Sequence, residues 1–97
     1  MKAIFISYNQ AYNEEIAELL AAFHQRGYTC WEEIQGRGGI NGQPHMGSHA
    51  WPALNNAILS VVADDKVDGI LDALKAKDEE APDLGLRAFV WNVEKSI

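Results

Sequence analysis

The sequence predicts one α+β domain in which four strands and two helices follow the order strand–helix–strand–strand–helix–strand. Two segments have the apolar spacing of amphipathic helices, and four segments rich in β-branched and aromatic residues alternate with them. A chain of 97 residues, 47% of them hydrophobic, can bury one core. The order is that of the ferredoxin-like fold βαββαβ, with two helices on one face of a four-stranded antiparallel sheet. We therefore predict a single domain over residues 1–97.

The first half of the chain predicts a strand at Lys2–Tyr8 and then a helix. Asn9 or Asn13 can cap this helix, and Gly27 predicts its end. Its apolar face has the spacing i, i+3, i+4, i+7 and consists of Ile16, Leu19, Leu20 and Phe23. The composition of Tyr28–Ile34 predicts the second strand.

The second half begins with a glycine-rich stretch. Five of the eight glycines lie between residues 36 and 47, which predicts a loop. Leu54–Ala63 then predicts the third strand, and Arg87–Glu94 the fourth. Between them Asp64 and Asp65 can cap a second helix. Its apolar face repeats the helical spacing with Val67, Ile70, Leu71 and Leu74.

The sheet face that the helices leave uncovered is predicted to be apolar. It would carry Trp31, Leu59 and Trp91, which are unfavourable in contact with water. Association with further copies of the chain is the simplest way to bury such a face. The sequence therefore predicts an oligomer.

Composition limits the partners and the compartment. A net charge of −6 with eight scattered Lys and Arg residues opposes nucleic-acid binding. No apolar run approaches the roughly 18 residues of a membrane helix, so the protein is expected not to be membrane-embedded. The single cysteine, Cys30, fits a reducing compartment, and we expect a cytoplasmic protein.

The glycine-rich segment Gly36–Gly42 is either a flexible turn or a loop that contacts an anion through its backbone N–H groups. It does not match the dinucleotide fingerprint, because Asn41 stands where the third glycine is required. The Walker pattern also fails, because no lysine precedes Ser48.

Three segments resemble the PII nitrogen-regulatory family. Gln35–Gly42 looks like the entry to the T-loop of that family, and Asp64–Val67 like its second-helix entry. Gly85–Val90 is similar to its ligand-binding B-loop running into the last strand. The resemblance implies a homotrimer with ligand sites in the clefts between subunits, and a regulatory protein that signals to a partner protein through the 36–52 loop.

The resemblance also implies which residues bind the ligand. An adenine nucleotide is one expected ligand, and Arg87 stands where the family has a basic residue for nucleotide phosphate. The implied ligand-binding residues are Gly36, Arg37, Gly38, Gly39, Gly42, Gly85 and Arg87.

The segment around His45, Met46 and His49 suggests a second kind of ligand. Imidazole and thioether groups suit transition-metal ions such as Cu, Zn or Ni. The alternative is that the histidines form hydrogen bonds that make the loop rigid, with Trp51 as its apolar anchor. Both interpretations remain open from the sequence.

The leading functional hypothesis is a trimeric PII-like regulatory protein that binds a small ligand or metal ion. Some PII-like proteins are associated with heavy-metal efflux systems, and the cluster of His45, Met46 and His49 favours a partner related to metal efflux or transport. The second hypothesis is a metal-binding protein similar to the CutA cation-tolerance family. A small ferredoxin-like enzyme is the third, although no catalytic triad or His-Glu-x-x-His motif is present and we expect no enzyme activity.

Overall fold

The computed structural model describes residues 1–37, 43–82 and 85–97. Within these ranges the predicted order of strands and helices is confirmed. The strands are β1 (Lys2–Asn9), β2 (Thr29–Ile34), β3 (Gly36–Arg37), β4 (Pro44–His45), β5 (Asn55–Val62) and β6 (Arg87–Asn92). The helices are α1 (Asn13–Ala22) and α2 (Val67–Glu80), each preceded by a short 3₁₀ turn, Gln10–Tyr12 and Asp64–Lys66. Among the described residues, no helix combines the length and apolar character needed to span a bilayer.

The main sheet has the strand order β2-β5-β1-β6, and its neighbouring strands are antiparallel. Strand β1 lies in the centre, with Phe5 opposite Leu59 on one side and opposite Phe89 on the other. This is the predicted ferredoxin-like arrangement. Strands β2 and β6 form the two edges.

The core lies between one face of this sheet and the two helices. Alternate residues of β1 point into it because successive side chains of a strand face opposite ways. The sheet residues of the core are Ile4, Ile6, Tyr8, Ile58 and Val62. The residues outside the sheet are Ile16, Leu20, Val67, Ile70, Leu74 and Leu86. Both helices therefore cover the same face, as the sequence predicts.

The opposite face of the sheet, called here the open face, carries large apolar side chains that are exposed in the single chain. Phe89 is 58% exposed, Trp91 48% and Trp31 45%. The strand register places Ala3, Phe5, Ala57 and Leu59 among them. The prediction of an apolar uncovered face is confirmed.

Helix α1 ends earlier than predicted. Its last residue is Ala22, and His24 adopts a left-handed conformation with φ 58°. The His24 N–H donates to the carbonyl of Ala21, and the Gln25 N–H donates to that of Leu20. This pair of bonds is a Schellman motif, which terminates the helix before Gly27. The prediction that Gly27 ends the helix is wrong.

The start of helix α2 also differs from the prediction. The Asp64 side chain makes no capping hydrogen bond, and the helix begins at Val67 after the 3₁₀ turn. The Asp64 carboxylate instead accepts a 2.6 Å hydrogen bond from the N-terminal ammonium of Met1. This ammonium holds the pKa of Asp64 below its usual value.

The segment predicted as a loop contains regular structure at its base. Strands β3 and β4 form a two-stranded antiparallel ribbon, in which Gly36 pairs with His45 and Arg37 with Pro44. This ribbon corrects the prediction of a plain loop over 36–47. It follows a β-bulge in β2, where the pairing register with β5 shifts between Trp31 and Ile34. Glu33 in the bulge has φ 55°.

Candidate functional site

The base of the ribbon is held by a buried polar network on the open face, formed by Ser7, His45 and Asn55. The Nδ1 atom of His45 lies 2.5 Å from Oδ1 of Asn55. Since an amide oxygen only accepts, Nδ1 carries the proton and donates it. The Nδ2 atom of Asn55 donates to the hydroxyl of Ser7 at 3.4 Å. His45 and Asn55 are 5% and 7% exposed, so these bonds satisfy polar groups that have little access to water.

Gly36 is required by the same network for reasons of space. A Cβ atom at this position would lie 2.3 Å from Nδ2 of Asn55 and 3.3 Å from its Cγ. The absence of a side chain at Gly36 therefore lets the Asn55 amide lie against the ribbon backbone. The resemblance implies a ligand-binding role for Gly36, which stays a prediction, whereas the structure shows a packing requirement at this position.

A second network lies on the opposite face of β5, directly behind the first. The Oδ1 atom of Asn56 accepts from the backbone N–H of Glu33 in the bulge at 3.0 Å, and Nδ2 of Asn56 donates to Oδ1 of Asn13 at 3.0 Å. The Tyr8 hydroxyl donates to the same Asn13 oxygen at 2.7 Å. Burial of Tyr8, with Cys30 beside it, raises the pKa of the phenol well above its usual value. The adjacent residues Asn55 and Asn56 thus fix the ribbon and the bulge from the two sides of the sheet.

Arg87 lies at the same end of the sheet, because its register partner on β1 is Ser7. Gly85, two residues earlier, has φ 70°, a conformation that favours glycine, and no atom of the described residues beyond its chain neighbours lies within 4 Å of its missing Cβ position. The open space lies on the Cα side of Gly85, while its N–H donates to the Pro82 carbonyl at 3.3 Å. The structure brings the backbone of Gly36 and that of Arg87 to one end of the open face, while Arg37 lies exposed on β3.

The predicted ligand-binding residues Gly38, Gly39 and Gly42 lie outside the described residues. The predicted metal ligands are described. His45 is buried in the polar network, His49 is exposed, and the backbone carbonyl of Met46 accepts a hydrogen bond from the Gln35 side chain. The described ranges contain no group of three or more His, Cys, Asp or Glu side chains placed to hold a metal ion. The metal site stays a prediction from the sequence.

The alternative to a metal site was a loop made rigid by histidine hydrogen bonds and anchored by Trp51. This interpretation is confirmed for His45 and is wrong for Trp51. The His45 ring makes the hydrogen bond that was expected to make the loop rigid. Trp51 is 43% exposed, so the prediction that it anchors the loop is wrong. The Leu54 side chain packs against Gly47 instead, because a Cβ atom added to this glycine would lie only 2.8 Å from Cδ2 of Leu54.

Sequence reasoning missed Ser7, Asn55 and Asn56. The available signal was the Asn55-Asn56 pair at the start of an otherwise apolar strand. Amides that a buried strand carries into the interior need hydrogen-bond partners, so such a pair indicates a polar network.

Comparison with known proteins identifies the family and the fold of the chain. The family model for the nitrogen regulatory protein P-II matches residues 1–97. No curated protein matches the sequence. Solved structures do match. The PII-like protein CPII from Thiomonas intermedia K12, bound to ADP, AMP and bicarbonate, is 21% identical with a TM-score of 0.78. That alignment covers 95% of this chain and 84% of CPII.

Two further structures show the same fold. The apo form of CPII from Thiomonas intermedia K12 has a TM-score of 0.74 at 20% identity, and the alignment covers 95% of this chain and 87% of that one. A PII-like signaling protein from Thermus thermophilus has a TM-score of 0.66 at 24% identity, covering 95% and 85%. At these identities the likeness establishes the fold, while the match to the family model establishes the family. The chain belongs to the nitrogen regulatory protein P-II family of signalling proteins.

Proposed function

We propose that this protein is a homotrimeric PII-like regulator that binds an adenine nucleotide between subunits and signals through the 36–52 segment to a partner protein. The observation that carries the proposal is the position of Arg87 and Gly36 at one end of an apolar open face, in a chain of this family. We further propose that it acts by binding, without catalysis, and in the cytoplasm.

The open face supports the oligomer. Monomeric proteins rarely expose several large apolar side chains on one surface, and Phe89, Trp91 and Trp31 are each about half exposed. Covering this face with further copies would remove these side chains from water. It would also place the polar end of one subunit next to its neighbour, which creates a cleft.

The polar end supports a phosphate ligand. Arg87 and Arg37 supply positive charge, and a guanidinium forms strong charge-assisted hydrogen bonds with phosphate oxygens. Gly85 has no side chain and has open space at its missing Cβ position, so a ligand can approach the chain closely there. The PII-like protein CPII has been solved with ADP, AMP and bicarbonate, which supports this ligand class for a chain of the same fold.

The ribbon supports a signalling role for the 36–52 segment. Its base is fixed by His45 and Asn55, whereas Ser48, His49 and Trp51 beyond it are exposed. A ligand that contacts the base would change the population of conformations of the exposed part, and a partner protein would recognise that difference.

Titration calorimetry with ADP and AMP, in the presence and absence of bicarbonate, tests the ligand. We expect Arg87→Met to weaken ADP binding about tenfold or more, since hydrogen bonds to charged groups contribute about 1.5–3 kcal/mol. Arg26→Met is the matched control, because Arg26 is also exposed but follows helix α1. Equal effects of the two substitutions, or no binding of either nucleotide, would refute the nucleotide proposal.

Light scattering tests the assembly independently. The proposal expects a mass three times the 10.7 kDa of the chain. A monomer at micromolar concentration would refute the cleft between subunits.

A further inference from the structure

The Arg87 side chain does not lie on the face from which it starts. The register places Arg87 on the open face with Phe89, beside Ser7. Its Nη1 atom nevertheless donates to the Leu86 carbonyl at 2.6 Å and lies 3.4 Å from Oδ1 of Asp78. Asp78 belongs to the last turn of α2, which covers the other face of the sheet. Because β6 is an edge strand, the side chain can pass around the sheet edge to reach it.

The guanidinium rests beside a cleft between α2 and the start of β6. This cleft has a volume of about 410 Å³. Leu71, Leu74, Leu86 and Ala88 form its apolar lining, and Lys75, Asp78 and Arg87 its charged part. Asp78 is the acidic side chain among these lining residues. The Leu86 carbonyl at 2.6 Å and the Asp78 carboxylate at 3.4 Å together hold the guanidinium of Arg87 in this direction, and Asp78 supplies the opposite charge.

We infer that Asp78 is a positioning residue that competes with the anionic ligand for Arg87. The inference rests on the proposed nucleotide site. In the chain without ligand, the carboxylate helps the Leu86 carbonyl to hold the guanidinium on the helix side of the sheet edge. A phosphate group at the open face must draw the same guanidinium away from Asp78 before it can form its own hydrogen bonds. Asp78 thus lowers the affinity for the ligand and makes the site selective for groups that bind Arg87 more strongly than a carboxylate does.

The size of the effect follows from the exposure of the pair. The Arg87 and Asp78 side chains are 49% and 30% exposed, so solvent screens their attraction. Such pairs contribute little to stability, and their loss corresponds to a change of about two- to fivefold in an equilibrium constant. The competition adjusts affinity without abolishing binding.

The test is titration of Asp78→Asn with ADP at low ionic strength. We expect the Kd for ADP to fall about two- to fivefold relative to Glu79→Gln. Glu79 is the exposed neighbour on the same turn, and its substitution removes the same unit of negative charge. The difference between the two variants is expected to shrink in 1 M salt, where the Debye length is about 3 Å. In an Arg87→Met background, Asp78→Asn and Glu79→Gln are expected to give the same Kd.

Each contrary result overturns the competition. An equal gain in Asp78→Asn and Glu79→Gln would mean that only net charge matters. A gain that persists in 1 M salt, or in the Arg87→Met background, would mean that Asp78 acts through the fold and not through the guanidinium. If ADP binds and Arg87→Met weakens it, but Asp78→Asn has no effect, the competition alone is wrong. If ADP does not bind at all, the proposed nucleotide site is wrong and the competition with it.

Discussion

Replacing Gly36 by alanine puts a methyl group where the Asn55 amide now lies. The new Cβ would be 2.3 Å from Nδ2, a separation that no native contact tolerates. The amide cannot simply move aside, because Asn55 is 7% exposed and both ends of its amide are hydrogen-bonded, to His45 and to Ser7. Either the ribbon backbone shifts or these bonds break.

Both routes cost a similar amount of stability. Overpacking a well-packed site costs about 1–3 kcal/mol, and leaving a buried polar group without its partner costs about 1–3 kcal/mol. Alanine recovers about 0.4–1 kcal/mol by restricting the unfolded chain. We therefore expect Gly36→Ala to lower the free energy of unfolding by about 1–2 kcal/mol. For a domain of this size, that lowers Tm by about 4–16 °C.

Thermal denaturation followed by circular dichroism measures the change, at one fixed protein concentration because association would also shift Tm. Gly27→Ala is the matched control, since no atom lies within 4 Å of its Cβ position and its φ is not in the left-handed region. The double variant Gly36→Ala/Asn55→Ala removes the clash and should be more stable than the sum of the two single changes predicts. If Gly36→Ala is as stable as Gly27→Ala, the argument from space is wrong.

Three further outcomes are expected. Because burial raises the pKa of Tyr8, the protein should lose stability as the pH rises above about 10, the ordinary pKa of tyrosine. Urea denaturation between about pH 9 and 11 measures this loss, and Tyr8→Phe should remove it. Because the pKa of Asp64 is lowered, its ion pair with Met1 stabilises the protein above about pH 4, near the ordinary pKa of aspartate, and this stabilisation is lost as the pH falls below that value. Asp64→Asn should therefore reduce the loss of unfolding free energy at acid pH, whereas Asp65→Asn should not. Trp91→Glu places a charge on the open face and should convert the proposed trimer into monomers in light scattering. A mass of three chains in this variant would exclude Trp91 from the proposed interface.

Periodicity predicted the elements of the fold because it reports directly on which side chains face the core. The apolar positions Ile16 and Leu20 of α1, and Ile70 and Leu74 of α2, are all fully buried or nearly so. The ends of the elements depend on contacts that periodicity does not contain. The Schellman motif at His24 ends α1 before Gly27 is reached. The Asp64 carboxylate, which was expected to cap α2, binds the N-terminal ammonium of Met1 instead.

The sequence singled out Gly36 and Arg87 at this end of the sheet, and their binding role stays a prediction; the polar network beside them was not predicted. Gly36 and Arg87 stand out by residue type within a recognisable segment. Ser7 and Asn55 are 48 residues apart along the chain, and their contact exists only because β1 and β5 are neighbours in the sheet. The position of the Arg87 guanidinium was not predictable from the sequence for the same reason, since it depends on a tertiary contact with Asp78 at the sheet edge.

The two consecutive asparagines of β5 have a mechanical consequence. Asn55 holds the ribbon on one side of the strand, and Asn56 holds the bulge and the first turn of α1 on the other. Only one peptide unit separates the two anchor points. A displacement of the ribbon that pulls on the Asn55 side chain therefore also strains the hydrogen bonds of Asn56. The helical layer is in this way coupled to movement of the ribbon at the open face through a single peptide unit.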